Sequence, residues 1–189
     1  YKNKSNIENL LNTFNIGLQI ARGMRYLHFD ADKNSSFIHR DLKPDNIGFD
    51  IDKKLKIFDL GLCTLIYKKR FDNETFRMSG DTGSIRYMAP EVYLKKNYNE
   101  SCDVYSFGII LWQITTKKIP FQGFTRWEFE KKVVHNNYRP KLNKKWNNTF
   151  IRLLESCWND DYRKRPSFID IENILLKLKD IYTDLLYKY

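Results

Sequence analysis

The stretch from Cys102 to Thr116 has no polar face. Val104, Phe107, Ile109, Ile110, Leu111 and Trp112 fall on every side of a helix drawn through it, and a helix apolar all round must be enclosed by other elements. The rest of the sequence supplies such a shell. Ile16, Ile20, Met24 and Leu27 recur at helical spacing and predict an amphipathic helix from about Thr13 to His28. Further helices are expected near Arg126 to His135 and Thr149 to Cys157. A last one should begin after Ser167, an N-cap with Asp170 three residues on and Pro166 just before it, and should set Ile171, Ile174, Leu175, Leu178, Ile181 and Leu185 on one face. Two short apolar runs, Ile47 to Phe49 and Leu55 to Phe58, suit strands joined by a turn at Asp50 to Lys54, and Phe37-Ile38 suits another short strand. Leu62 to Ser79 shows no sustained period and is expected to be a mobile loop. The expected fold class is mainly α, a helical bundle with a small β-hairpin, as one domain over residues 1–189 without repeat or linker.

Composition narrows the function classes. Hydrophobic residues at 42% and aromatic residues at 15% fit a packed core and exclude a disordered chain. No apolar run approaches the roughly 18–20 residues that crossing a bilayer requires, and no signal peptide opens the chain. Cys63, Cys102 and Cys157 are odd in number and lack metal-ligand spacing, which suits unpaired thiols in a reducing compartment. A soluble, cytoplasmic location is therefore expected. The net charge of +10 raises nucleic-acid binding as a question. The lysines, however, fall in scattered pairs such as Lys95-Lys96, Lys117-Lys118, Lys131-Lys132 and Lys144-Lys145, with no nucleic-acid motif beside them. No specific nucleic-acid partner is expected, and the charge suits acidic protein substrates instead.

Chemistry concentrates in His39 to Asn46, which reads HRDLKPDN. The string sets a cation two residues after a carboxylate and an amide five residues after it, a set able to move a phosphoryl group to a hydroxyl. Phosphoryl transfer passes through a loose transition state, so catalysis is mostly positioning and neutralisation of phosphate charge. Asp41 would accept or orient the proton of the hydroxyl, and Lys43 would sit near the transferred phosphate. Asn46 would offer its amide oxygen to magnesium, a hard cation that takes oxygen ligands. Downstream, Asp59-Leu60-Gly61 closes the expected hairpin, and Gly83 to Met88 runs directly into Ala89-Pro90-Glu91.

In this order, the motifs resemble those of a protein kinase, and residues from about Asn9 to Lys179 resemble its large C-terminal lobe. Lys43 and Ser84 suit serine/threonine specificity, with dual specificity left open, and Cys157-Trp158, Arg165 to Phe168 and Asp103 to Gly108 resemble the tyrosine-kinase-like group of serine/threonine kinases. The resemblance implies ATP and Mg2+ as cofactors and a protein substrate as partner, in signal transduction. It implies that Asp59 binds the magnesium bridging the phosphates, and that Ser84 hydrogen-bonds Asp41 and Lys43. Asp103 is expected to accept backbone N–H bonds from the catalytic loop, and Glu91 and Arg165 to form a partly buried ion pair. Arg40 resembles the arginine that reads a phosphate on the activation segment, with Ser79 and Thr82 as candidate sites and Thr75 behind them.

The sequence also departs from the family. No glycine-rich loop, strand lysine or helix glutamate of the small N-terminal lobe is present. The chain is thus expected to be a piece of something longer, with little activity alone although the full-length protein is an enzyme. Leu60 replaces the usual Phe, and as a branched apolar residue that can still fill a core slot it is expected to be a tolerated change. Gly48 stands where the family places an aliphatic residue under the adenine, so that contact must come from neighbouring atoms or be weaker. A non-catalytic kinase-like scaffold, or pseudokinase, is the alternative, and the presence of Asp41, Lys43, Asn46 and Asp59 together argues against it. A basic module for RNA or acidic proteins is a further reading, marked by steep salt dependence of binding.

Overall fold

The computed structural model describes residues 4–67, 75–76 and 84–188. Helix α1 (Lys4–Arg25) widens into a π turn over Tyr26–Asp30 and leads to strand β1 (Ser35–Ile38). The string His39 to Asn46 follows, then a hairpin of β2 (Ile47–Phe49) and β3 (Leu55–Ile57), and then β4 (Thr64–Tyr67). The remaining helices are α2 (Pro90–Tyr93), α3 (Ser101–Thr116), α4 (Arg126–Phe129, continued as a π turn over Glu130–His135), α5 (Asn148–Cys157) and α6 (Phe168–Tyr187). The architecture is mainly helical, as expected.

Helix α3 is the axis. Tyr105, Phe107, Ile109 and Leu111 have no exposure, and the Trp112 indole N–H, the one polar group of that side chain, donates to the Lys141 carbonyl at 2.9 Å. Helix α1 packs against it and against α6. Phe14 meets Phe150 and Tyr182 edge-on at 5.1 Å each, and Phe168 meets Phe107 at 5.5 Å. Helix α6 is further held to α1 by Glu172, whose carboxylate takes hydrogen bonds from Arg22 at 2.8 Å and Arg25 at 3.0 Å. The Arg22 hydrogen bond, with the Arg25 bond added, holds this carboxyl below its ordinary range against the effect of burial. Ser167 caps α6 in a reciprocal box with Asp170.

The α3–α5 crossing is close because residue 108 is glycine. A Cβ there would lie 2.7 Å from Cys157 Cβ, an atom fixed to the α5 backbone. Gly108→Ala is expected to cost about 1–3 kcal/mol through overpacking, read by urea unfolding; unchanged stability would mean that the two helices can part freely.

Three local expectations are corrected. Helix α1 starts at Lys4, well before Thr13, because Ile7 and Leu10 are also buried. On α6, Ile181 is 47% exposed and Tyr182 takes the inward place. Within the expected loop, residues 64–67 form β4, antiparallel to β1 with Ile38 opposite Thr64 and Ser36 opposite Ile66. The partner strand lies far back in the sequence and carries two serines, so neither strand announces the pairing through its own period.

Candidate active site

Strand β1 enters the string His39 to Asn46 and β2 leaves it at Ile47, so the loop between them is anchored at both ends. Asp103, in the first turn of α3 and fully buried, holds the entrance. Its Oδ2 accepts the His39 backbone N–H at 2.8 Å and lies 2.9 Å from His28 Nε2, while its Oδ1 accepts the Arg40 N–H at 2.9 Å. Arg40 is thereby held at a φ of 70°, in the left-handed region. A buried carboxylate with this many directed donors fixes backbone position. At the exit, Pro44 opens a single 3-10 turn that closes with the Asn46 N–H on the Lys43 carbonyl at 3.0 Å.

Between these anchors Asp41 is only 8% exposed. Its Oδ2 lies 2.6 Å from Lys43 Nζ, and its Oδ1 accepts the Ser84 backbone N–H at 2.9 Å. Asn46 Nδ2 donates to the Asp41 carbonyl at 2.8 Å and approaches Oδ2 at 3.3 Å, which leaves the amide oxygen for a cation. Ser84 therefore reaches Asp41 through its backbone and not through the hydroxyl that the resemblance implied. The backbone bond ties the segment leading to Ala89-Pro90-Glu91 directly to the carboxylate.

Asp59 is brought to the same end of the molecule. The Phe58 N–H donates to the Asn46 carbonyl at 2.8 Å, and the Phe58 carbonyl is 3.1 Å from His39 Nε2. Asp59 itself has φ 57° and its Oδ1 accepts the Gly61 N–H at 3.3 Å. His39, buried and bridging the catalytic loop to Phe58, is a positioning residue that motif reading did not single out. Among the described residues no cluster of three or more His, Cys, Asp or Glu could hold a metal by itself. One exposed carboxylate with one amide oxygen suits magnesium, which completes its shell with phosphate oxygens and water. The donor set is all oxygen, and it fits.

The sequence matches the protein tyrosine and serine/threonine kinase family over residues 2–175. The chain belongs to that family. It is 36% identical over 162 residues to the serine/threonine/tyrosine-protein kinase HT1 of Arabidopsis thaliana, covering 86% of this chain and 39% of that protein. It is 40% identical over 169 residues to the serine/threonine-protein kinase VIK of the same plant, covering 88% of this chain and 37% of that protein. With the dual specificity protein kinase shkC of Dictyostelium discoideum it shares 37% identity over 183 residues, covering 91% of this chain and 35% of that protein. The chain thus spans less than two fifths of the length of these curated relatives.

Other parts of this kinase chain surround the site. Arg165 meets Glu91 in the expected ion pair, Nη2 to Oε2 at 2.9 Å with Nη1 on Oε1. Arg40 Nη1 donates to Thr64 Oγ1 at 2.7 Å and to the Leu62 carbonyl at 3.3 Å, and its guanidinium lies 5.9 Å from the Tyr98 ring. Burial, as the main cause, pushes the Tyr98 phenol up to about 12, so this neighbour of Arg40 stays neutral. Ser79 and Thr82 lie outside the described residues, and Thr75 is half-buried. All three cysteines are free, and burial raises each thiol, Cys63 being half-buried and Cys102 and Cys157 buried. Leu60 does not fill a core slot in this chain: it is 53% exposed.

Proposed function

We propose that residues 1–189 are one domain, the large lobe of a protein serine/threonine kinase that transfers the γ-phosphoryl group of ATP to a protein hydroxyl. The reading is supported by the contacts among Asp41, Lys43 and Asn46 and by the Phe58–Asn46 backbone bond one residue before Asp59. Asp41 accepts the proton of the substrate hydroxyl as the hydroxyl oxygen bonds to the γ-phosphorus and the bond to the β-phosphate oxygen breaks, leaving ADP. Lys43 neutralises charge at the same point, and its contact with Asp41 at 2.6 Å keeps that carboxylate aimed. Mg2+, when bound, supplies charge neutralisation at the phosphate oxygens. Asn46 and Asp59 would hold it. Ser84 positions the segment that receives the substrate. Lys43 beside Asp41 favours a serine or threonine acceptor, and the names of HT1 and shkC keep dual specificity open.

A cytoplasmic signalling role accompanies this reading. Among the described residues no helix is long and apolar enough to cross a membrane. The test is transfer of labelled γ-phosphate by the full-length protein to a degenerate serine/threonine peptide library. Transfer is expected to vanish on chelation of divalent cations and to return with Mg2+. No transfer under any metal condition, with the fold intact, would leave the scaffold reading in its place.

A further inference from the structure

Gly48 sits in the middle of β2, opposite Lys56. Glycine in a strand interior gives up packing and conformational stability, so its presence there needs a cause. Its backbone does not provide one, since Gly123 is the one glycine with a positive φ among the described residues. What a side chain there would meet is the Phe58 ring. A Cβ at position 48 would lie 2.8 Å from Phe58 Cε2, 3.5 Å from Cζ and 3.8 Å from Cδ2. The ring occupies the space that a side chain at 48 would take.

The placement of that ring is specific. Phe58 directly precedes Asp59, and both its backbone groups are bonded, the N–H to Asn46 and the carbonyl side to His39. The backbone carrying the ring is therefore held by the same loop that carries the cation ligands. Even so, the residue is 49% exposed. A held but uncovered aromatic surface beside a phosphate site is the kind of surface on which a nucleotide base rests, because every base has an apolar π-face.

Resting on the kinase reading above, we propose that Phe58 supplies the apolar floor for the base of the nucleotide, replacing a side chain at position 48, and that Gly48 is the residue that makes room for it. Two positions have exchanged bulk: the strand gives up its side chain and the residue before Asp59 provides the surface.

Calorimetric binding of Mg·ATP and of Mg·tripolyphosphate to the full-length protein tests this, since only the first ligand has a base. Phe58→Ala is expected to weaken Mg·ATP about tenfold and to leave Mg·tripolyphosphate within about twofold. The exposure of the ring means that this variant should fold. Gly48→Leu alone is expected to weaken Mg·ATP by collision with the ring. In Gly48→Leu/Phe58→Ala the new leucine takes the vacated space, and Mg·ATP affinity is expected to return to within about threefold of the unaltered protein. Equal weakening of both ligands by Phe58→Ala, or no recovery in the double variant, would overturn the inference. Wild-type binding unchanged by Phe58→Ala would overturn it alone and leave the kinase reading standing, whereas a wild-type protein that binds no Mg·ATP would overturn both.

Discussion

The full-length protein with Asp41→Asn is expected to transfer phosphate about 1,000-fold more slowly, with KM for ATP within about twofold of the unaltered value. The amide has the same shape and can still accept the Ser84 N–H, so the loop should keep its path. What it lacks is a site for the substrate proton and the negative charge that holds Lys43 at 2.6 Å. The loss should therefore fall on kcat, because the change removes an interaction made as the hydroxyl is activated. Steady-state kinetics with a peptide acceptor, beside a melting curve to show that the fold is intact, reads this directly. A decrease smaller than about tenfold would mean that Asp41 is not the proton acceptor.

Far from the reacting atoms, Arg165→Ala is expected to cost about 3–5 kcal/mol of unfolding free energy, because it strands the Glu91 carboxylate in a dry site. The Arg165 side chain has no exposure and that of Glu91 has 10%. Besides the two bonds to Glu91, the guanidinium donates to the Asn159 carbonyl at 2.9 Å and the Ser101 carbonyl at 3.1 Å. It also lies 5.2 Å from the Tyr105 ring, so α2, α3 and the turn before α6 are held through one side chain. Replacing both partners by apolar residues of similar size, Glu91→Leu with Arg165→Met, should cost less than either single change. By contrast, Arg22 is 55% exposed in its pair with Glu172, and that pair should be worth roughly 0–1 kcal/mol. Urea unfolding of Arg165→Ala with a loss within about 0.5 kcal/mol would show that the charges are effectively solvated.

These residues differ in how far the sequence could take them. The reciprocal cap of α6 is a matter of residues three apart, so Ser167 and Asp170 predict it without help from the rest of the chain. The Glu91–Arg165 pair joins residues far apart in the chain, and only the family resemblance brings them together in advance. Ser84 shows a finer limit: a residue type suggests what a side chain can bond, yet here it is the backbone N–H that reaches Asp41. Leu60 shows another, since an apolar residue type does not say whether anything closes over it.

By itself the sequence determined that a helix apolar on all sides would be sheathed by amphipathic ones, and that a phosphoryl-transfer set lay between the first of these and a hairpin. Both follow from short-range pattern, because periodicity and residue order report what each segment must bury and which chemical groups it carries. Only the tertiary structure decided that β4 pairs with β1, that Tyr182 and not Ile181 turns inward, and that the Phe58 ring lies over Gly48. Each of those depends on which distant surface arrives at a given face, and contact between distant segments is selected by packing of the whole chain, to which no local window has access.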